Sequence, residues 1–420
     1  MRILIASPYL PWPLNAGGNA AQFSTLQCLA ADHEFTLVCP IFSAEEKVHA
    51  SELSQRLPKV RVRAVYCGEP VAAWWAVRTV RRALRFFQRA IGPGASPPGL
   101  GYPFAPLPPA FIEVLGEELN RGTDLCQAEF APMLPLGAWF PKSIPRLFVH
   151  HQIHFVYAER FLEVHGDCHF GSYLREVMRV QELSCLKHFD SVITFSEEDR
   201  CALLPHLPAD SVFTSPFPIP ADVGIASQIH REFDGRFLFV ASEVNGPNID
   251  ALEWLLEKIW PQILLQLPAA RLVVVGRWSH SSRSRFSVPG VSFAGFVSDL
   301  PSTLRGGIML VPVRIGSGIR AKILVALAQG MPVVSTSVGV EGLLVRDEEE
   351  LLVRDAAAEF AAAAVRLARN DSDRHRLAIA GLASVSKHYS AEVVRRRRND
   401  IYESIVAARR IETSAEPRFV

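Results

Sequence analysis

The residue types best suited to chemistry lie together in one stretch of the second half of the chain. A loop with Gly316, Ser317 and Gly318 follows an apolar strand pattern, and the next helix pattern opens with Arg320 and Lys322. Loop amides, the positive end of a helix and two cations can bind a diphosphate together. The alternative is a glycine turn ahead of an ordinary core helix, with both cations in solvent.

A second glycine loop follows the first apolar strand of the chain. Gly17 and Gly18 stand just before the helix pattern AAQFSTLQCLA, where their amides can approach an anion. A tight turn between a strand and a helix needs glycine in any case, so both interpretations stay open.

Three histidines, His150, His151 and His154, follow the apolar strand Arg146–Val149. Three imidazoles near one strand end can hold a metal ion or polarise a substrate. A zinc site needs further ligands, and the sequence does not place any beside them. We therefore expect one hydrogen-bonding histidine at the end of the strand, and no metal.

Two basic runs can bind partners of negative charge. Val71–Ala90 contains five arginines, four aromatic residues and no acid, which is typical of a helix in an anionic membrane interface. A helix that packs its aromatic residues on the first domain and leaves its arginines in water is the alternative. For Arg395–Arg398 we expect a solvated face or salt bridges to a partner.

Length and composition are those of a globular protein with more than one domain. The chain has 420 residues, 49% hydrophobic and 21% charged, with a net charge of +1. So small a charge argues against nucleic acid as a partner. The seven cysteines include no CxxC pair, which indicates reduced thiols in a cytoplasmic protein. No apolar run reaches the roughly 18 residues of a membrane span, so we expect a cytoplasmic protein, in solution or at the inner face of the membrane.

The elements that must position these residues alternate between strand and helix patterns. Continuous apolar strands separated by helix-length stretches are typical of parallel sheets covered on both faces. The predicted strands are Ile3–Ala6, Phe35–Cys39, Val60–Tyr66, Arg146–Val149 and Ser191–Thr194, then Phe237–Ala241, Leu272–Val275, Val291–Gly295, Ile308–Val311 and Pro332–Ser335. The predicted fold class is therefore α/β, with two doubly wound, Rossmann-like domains.

The proline-rich stretch Thr214–Pro220 separates the two series of strands. The predicted domains are residues 1–222 and 223–395, followed by a helix and tail at 396–420 that can pack back on the first domain. Ligands of open parallel sheets lie beyond the carboxyl ends of the strands, so we expect the site in an interdomain cleft.

In its motifs the chain resembles the family-4 type of retaining glycosyltransferases with the GT-B fold, specifically bacterial sugar transferases of exopolysaccharide and cell-envelope pathways. The matching segments are MRILIASPYLPWPLNAGG, VHHQIHFVYAERF, FDSVITFSEEDR, PNIDALEWL, VVVGR, VSFAGFVSDL and GSGIRAKILVALAQGMPVVSTSVGVEGL. The resemblance implies that residues 223–395 bind a nucleoside-diphosphate sugar and residues 1–222 a glycan or lipid-linked acceptor. It also implies that neither a metal nor another cofactor is needed.

The resemblance further implies roles for single residues. His151 lines the active site, and Arg320 and Lys322 stabilise the departing diphosphate, so these are the expected catalytic residues. The expected donor-binding residues are Gly17, Gly18, Gly295, Phe296, Gly316, Ser317, Gly318, Val325, Gly339, Glu341 and Gly342.

Two positions depart from the family's pattern. Where relatives usually have two glutamates with seven residues between them, this chain has Ser317 and Val325. The second glutamate grips the nucleotide ribose, and losing such a contact costs about 1–3 kcal/mol. Val325 therefore weakens the expectation of activity and leaves that of the fold unchanged.

Three functions fit these residues. The first is a hexosyltransferase-type enzyme that moves a sugar from a nucleoside diphosphate to a lipid-linked or growing glycan acceptor with retention. The second is a non-catalytic GT-B subunit of a glycan-assembly complex, which Val325 favours. The third is an epimerase, which would need cleft acids, or a phosphorylase, which would need a Schiff-base lysine such as Lys322 or Lys258.

Overall fold

The computed structural model describes residues 1–14, 16–68, 106–230, 232–297 and 299–415, with side chains as far as Arg409. It divides into two compact units, one made of Met1–Ser215 with Val394–Val420 and the other of Pro216–Val393. The boundary between the two units, after Ser215, falls within the proline-rich stretch. The sequence analysis predicted this boundary after residue 222. Val71–Ala90, with its two alternative interpretations, lies outside the described residues.

The first unit is built on one parallel sheet with strand order β3-β2-β1-β4-β5-β6-β7. Its strands are β1 (Arg2–Ala6), β2 (Glu34–Ile41), β3 (Val60–Tyr66), β4 (Leu125–Glu129), β5 (Arg146–His150), β6 (Ser191–Thr194) and β7 (Val212–Thr214). Its helices are α1 (Gly17–Leu29), α2 (Ala44–Arg56), α3 (Pro109–Leu119), α4 (Leu136–Trp139), α5 (His154–His165), α6 (His169–Leu186) and α7 (Glu197–Leu203), with 3-10 turns at Ala131–Met133 and Ala209–Ser211.

The second unit repeats this plan with a parallel sheet of order β10-β9-β8-β11-β12-β13. Its strands are β8 (Arg236–Val240), β9 (Arg271–Val275), β10 (Val291–Gly295), β11 (Ile308–Val311), β12 (Val333–Ser335) and β13 (Leu352–Val353). Its helices are α8 (Gly246–Trp254), a π-helical turn (Leu255–Ile259), α9 (Trp260–Gln266), α10 (His280–Arg285), α11 (Leu300–Leu304), α12 (Ala321–Ala328), α13 (Ser337–Val340), α14 (Ala357–Arg369) and α15 (Asp371–Tyr389). Within the described part of the chain, none of the helices combines the length and apolarity that crossing a membrane requires.

The ten predicted strands are all present, with ends within two residues of those predicted. They were recognisable because a parallel strand covered on both faces is apolar throughout, as the wholly buried β11 shows. Strands β4, β7 and β13 were missed. In β4, sequence LCQAE, Gln127 and Glu129 interrupt the apolar run although all five residues are buried.

Each sheet reverses its strand order once, between β1 and β4 in the first unit and between β8 and β11 in the second. The loops that follow such a pair of strands run in opposite directions and leave a crevice at the carboxyl edge of the sheet. In the first unit Gly18 lies at the start of the helix that follows β1, and Phe130 directly follows β4. In the second unit Asn248 lies at the start of the helix that follows β8, and the glycine loop at Gly316 follows β11. The fold thereby selects one part of each unit as a candidate site.

The last helix, α16 (Ala391–Ala415), returns the chain to the first unit. Arg395 forms an ion pair with Asp32, and the Tyr402 hydroxyl donates to Gln127 at 2.7 Å. Arg395, Arg396 and Arg397 are exposed, as predicted for a solvated basic run. The prediction was wrong for Arg398, whose exposure is 1%, because it lies on the apolar face of the helix.

Candidate functional site

The glycine loop of the second unit has the backbone conformation for which glycine is required. Gly316 has φ 133° and Gly318 has φ 78°, values that residues with a Cβ rarely adopt. A Cβ on Gly316 would lie 2.9 Å from Nη2 of Arg320. The Arg320 guanidinium folds back over the loop and donates through Nη1 to the carbonyls of Ser317, at 2.8 Å, and Gly318. Arg320 thus helps to hold the loop that precedes α12.

Lys322, in the first turn of α12, is a half-buried lysine. Its Nζ donates to Oδ1 of Asn248 at 2.9 Å and lies 5.2 Å from the centre of the Phe239 ring. Within the described residues Lys322 has no carboxylate partner. Burial, reinforced by the charge of Arg320, lowers the pKa of Lys322 to about 7. A partly desolvated cation without a counter-ion is stabilised by an anion that binds beside it, so this position is suited to binding one.

Helix α8 supplies the partners of both cations that flank the loop. Arg314 forms a bidentate ion pair with Asp250, with distances of 2.6 and 3.2 Å, and its guanidinium lies 5.2 Å from the Trp254 ring centre. Asp250 is only 5% exposed. Asn248 and Asp250 were not predicted as site residues. The sequence did contain a signal, because two polar residues two positions apart open the helix that follows β8, where the strand order reverses.

The loop after β12 contains three more of the predicted donor-binding residues. Gly339 packs so closely that a Cβ there would lie 2.1 Å from Oγ of Ser335, and Gly342 has φ 76°. Glu341 directly follows α13. Because β12 pairs with β11, this loop and the Gly316 loop emerge from adjacent strands at the same edge of the sheet.

The other predicted donor-binding residues differ in their surroundings. Val325 is 6% exposed and packs in the apolar core, so it offers no hydrogen bond. Gly295 ends β10 with φ 72° and open space around its Cβ position. Phe296, 53% exposed, lies 5.2 Å from the Arg277 guanidinium. Strand β10 is at the far edge of the sheet from β12, so Gly295 and Gly339 belong to separate loops.

In the first unit the structure singles out His151 among the three histidines. His151 follows β5, and its Nε2 lies 2.9 Å from Oε2 of Glu129 at the end of β4. Its ring stacks on Phe130 at 3.9 Å between centroids. Phe130 has φ 68°, an uncommon conformation for a bulky residue that is often found at functional sites.

His151 and Glu129 form a buried pair with defined charges. Burial would raise the pKa of Glu129, but the interaction with His151 and, to a smaller extent, the positive charge of Arg398 outweigh it, so the carboxyl group is ionised. Burial lowers the pKa of His151, so the imidazole is neutral and Nε2–H donates to Glu129. Nδ1 of His151 has no partner among the described residues. The pair therefore offers one oriented hydrogen-bond acceptor.

A relay of hydrogen bonds supports this pair from behind. The Tyr402 hydroxyl donates to Oε1 of Gln127 at 2.7 Å, and Nε2 of Gln127 donates to Oε1 of Glu129 at 2.6 Å. Glu129, Gln127, Tyr402 and Arg398 were all missed by the sequence analysis. The signal in the sequence was the alternation of Gln127 and Glu129 with apolar residues, in a short segment between two predicted strands.

Gly18 lies in the first turn of α1 and faces the same region. A Cβ on Gly18 would lie 2.7 Å from Cε1 of Phe130, so glycine allows the ring under His151 to approach the helix. Gly17 is the first residue of α1. The predicted pair thus lies beside His151, where close packing accounts for Gly18 without an anion.

The other two histidines belong to a different group. His150 approaches Glu182 of α6 at 3.1 Å, and the same carboxylate accepts the backbone N–H groups of His154, at 3.0 and 3.1 Å, and Phe155, at 3.1 Å. Glu182 thereby caps α5. The described residues contain no group of three or more histidine, cysteine or carboxylate side chains placed to hold a metal ion.

Solved structures define the class of fold. The chain is similar to TarM (TM-score 0.68, 11% identity), covering 96% of this chain and 98% of that one. It is also similar to sucrose-phosphate synthase of Thermosynechococcus elongatus (TM-score 0.68, 16% identity, 97% and 100% covered) and to Anabaena HepE in complex with UDP and glucose (TM-score 0.63, 14% identity, 96% and 100% covered). These likenesses confirm the predicted α/β fold with two Rossmann-like sheets of the GT-B type.

Sequence comparison finds a likeness within the second unit. Residues 234–370 match the family described as glycosyl transferases group 1. A Klebsiella pneumoniae protein described as an uncharacterized 44.6 kDa protein in the cps region is 24% identical over 167 residues. That match spans 37% of this chain and 43% of the Klebsiella protein.

Proposed function

We propose that the protein is a hexosyltransferase-type glycosyltransferase that moves a sugar from a nucleoside diphosphate to a lipid-linked or growing glycan acceptor, with retention of configuration. In this reaction the bond between the anomeric carbon and the diphosphate breaks, and a bond to an acceptor oxygen forms. Negative charge grows on the departing diphosphate. A transferase must therefore place positive charge and N–H groups where that diphosphate sits.

Lys322 is the observation that carries the proposal. A half-buried amine whose hydrogen-bond partner is the neutral Asn248 lies in the first turn of α12, directly after the loop of Gly316 and Gly318. The N-terminus of α12 has no side-chain cap at Arg320, and uncapped helix amides favour anions. Lys322, the loop and these amides together form the diphosphate site of the proposal. HepE, a protein of the same fold, is in complex with UDP-glucose, so UDP-sugars are the first donors to test.

His151 has a separate role in the proposed reaction. With Nε2–H held by Glu129, its unpartnered Nδ1 accepts a hydrogen bond from a hydroxyl group of the sugar or acceptor. A neutral imidazole in a fixed tautomer binds and orients such a hydroxyl group, and it can also accept its proton. We assign His151, Arg320 and Lys322 as the catalytic residues on these grounds.

We further propose that the reaction uses neither a metal ion nor another cofactor. Support comes from the cations Arg320 and Lys322, which supply positive charge at the diphosphate site. Activity with a UDP-sugar should then be equal with excess chelator and with added magnesium. A strict requirement for a divalent ion would contradict this part of the proposal.

Thermal unfolding with a panel of UDP, GDP, ADP and dTDP, and then of their sugars, tests the donor. A nucleotide at about a hundred times its dissociation constant should add about 2.7 kcal/mol to the free energy of unfolding. Lys322→Met should lose this response. Lys258→Met, which changes an exposed lysine of the same unit, should keep it. If no nucleotide stabilises the natural chain, the proposal has lost its basis.

Transfer itself is measured with the donor so identified and a set of lipid-linked and oligosaccharide acceptors. Nucleoside diphosphate should be released faster when the acceptor is present. The anomeric proton coupling of the product, measured by NMR, distinguishes retention from inversion. An inverted product would contradict the proposed stereochemistry and leave the class of enzyme intact.

Val325 favours a second function, that of a non-catalytic subunit of a glycan-assembly complex. A buried valine stands where relatives of the resembled family have the ribose-binding glutamate. Val325→Glu decides between the two functions. If the natural chain binds no nucleotide but Val325→Glu does, the site is intact and disabled at this position, and the non-catalytic function is correct.

The proposal of a lipid-linked acceptor includes binding of the protein to a membrane surface. The Klebsiella relative is described as lying in a cps region, which supports a role in envelope glycans, and Val71–Ala90 carries the basic and aromatic residues that suit an anionic lipid surface. Sedimentation with anionic vesicles should deplete the protein from the supernatant, whereas neutral vesicles should not. Recovery in the supernatant with both would exclude binding through this segment.

A further inference from the structure

Arg398 is a buried cation to which the proposed reaction assigns no role. It lies on α16, and its Nε and Nη1 have no hydrogen-bond partner among the described residues. Its guanidinium lies 5.9 Å from the Phe195 ring centre and 6.0 Å from that of Tyr402. Burying a charge is costly unless an opposite charge lies near, so a buried arginine in this position needs a reason.

The position of Arg398 relative to the His151 pair supplies that reason. The Phe195 ring is close to both, with its centre 5.0 Å from that of the His151 ring and 5.9 Å from the Arg398 guanidinium. Tyr402, one turn after Arg398 on α16, is linked through Gln127 to the carboxylate of Glu129. Arg398, Glu129 and His151 therefore belong to one buried group, with one positive charge on Arg398 and one negative charge on Glu129.

This charge balance acts together with burial, which is the largest of the causes that lower the pKa of His151. While Glu129 is ionised and Arg398 is present, a proton added to His151 would make two buried positive charges against one negative charge. The neutral imidazole is therefore favoured, with Nε2–H on Glu129 and Nδ1 left as an acceptor. Without Arg398, burial would still oppose protonation, but the ionised carboxylate would make the charged imidazole, which has no acceptor atom, less unfavourable.

We propose that Arg398 is a positioning residue that holds His151 in its neutral, accepting form, so that the C-terminal helix completes the site in the first unit. The value of this form to catalysis rests on the proposed function, but the protonation state itself does not. The ionisable groups that face His151 or Glu129 are Tyr9 after β1, Cys39 on β2, His150 on β5 and Tyr402 on α16. Those that face Arg398 include Cys28 on α1 and Tyr402.

NMR of the full chain labelled with 15N-histidine tests the proposal directly. The signals of His151 are assigned by their loss in His151→Gln. In the natural protein the two ring nitrogens should show a neutral Nε2–H tautomer at neutral pH. In Arg398→Met the titration midpoint of His151 should shift upward, and Arg398→Lys, which restores a cation, should return it toward the natural value.

Arg396→Met is the matched control, because Arg396 is an exposed arginine on the same helix. It should leave the His151 signals unchanged. An unshifted midpoint in folded Arg398→Met would overturn the proposal. Because these signals are read without substrate, this result is independent of whether the protein proves to be a transferase.

A double-mutant cycle tests the coupling through stability, for the case in which Arg398→Met unfolds cooperatively but gives no assignable His151 signals. Glu129→Gln, Arg398→Met and the double variant are compared by urea unfolding. If the two charges are coupled, the double variant should lose less stability than the sum of the two single losses. Losses that simply add would show that Arg398 does not act on Glu129, and would also overturn the proposal.

Discussion

At the scale of single residues, Lys322 links binding to stability. A half-buried lysine whose partner is an amide reduces the stability of the free protein, because the charged form has lost part of its hydration. Sites that bind charged ligands commonly carry this cost, and removing the charge then stabilises the fold while it abolishes the function.

We predict that Lys322→Met raises the free energy of unfolding at pH 7.5. The pKa of Lys322 falls from 10.5 to about 7 on folding, so between these pH values the unfolded chain holds more protons than the folded one. Stability from this group is therefore complete above pH 10.5 and is lost as the pH falls toward 7. Urea unfolding between pH 7 and 9 should show a rise with pH that Lys322→Met flattens. An unchanged slope, with Lys258→Met as the control, would contradict the prediction.

We also predict that binding of UDP takes up protons at pH 8. Lys322, with its pKa of about 7, is then largely neutral, and an entering diphosphate favours its charged form. Calorimetric titrations in two buffers of different ionisation enthalpy measure this uptake. In Lys322→Met the two buffers should give equal binding enthalpies. Proton release in the natural protein would show that another group dominates.

At the scale of elements, α8 determines the shape of the candidate diphosphate site. Asn248 and Asp250 in its first turns bind Lys322 and Arg314, which flank the glycine loop. The helix lies next to this loop because β8 and β11 are neighbours in the sheet. A short polar pattern at the start of one helix thereby positions a loop that lies far along the chain.

Asp250→Asn should loosen the glycine loop. The Arg314–Asp250 pair is bidentate, and Asp250 is buried while Arg314 is 35% exposed, so its loss should cost about 1–3 kcal/mol. Nucleotide affinity should fall by roughly tenfold if about 1.4 kcal/mol of this loss falls on the bound state.

The matched control is Glu253→Gln on the same helix, which breaks the ion pair between Glu253 and the exposed Arg285. A surface pair of this kind contributes about 0–1 kcal/mol, and binding should be unchanged. Urea unfolding and nucleotide titration measure both variants. Equal effects of the two substitutions would mean that Asp250 has no special relation to the loop.

At the scale of the whole molecule, the two units are connected differently along the chain. The second unit is continuous, from Pro216 to Val393, whereas the first needs the returning segment after Val393. Helix α16 buries Val394, Ile401, Tyr402 and Ile405. Without it, the apolar and polar groups that it covers would face water.

We predict that residues 216–393 fold when expressed alone and that residues 1–215 do not. Circular dichroism and cooperative thermal unfolding measure the outcome. Fusion of residues 391–415 to residues 1–215 through a flexible linker should restore folding of the first unit. Cooperative unfolding of residues 1–215 alone would contradict the assigned role of α16.

The amino-acid sequence by itself determined ten of the strands, the two-sheet α/β class and the glycine loop at Gly316. Strands covered on both faces are mostly apolar, and positive φ values favour glycine, so both leave local signals. Only the tertiary structure paired Lys322 with Asn248, 74 residues away, and Tyr402 with Gln127, 275 residues away. These pairs depend on strand order and on the return of α16. The residues of these pairs, such as Gln127 in β4, are polar and interrupt the apolar pattern by which a strand is recognised. Their hydrogen-bond partners come from distant parts of the chain, so only the complete fold supplies them.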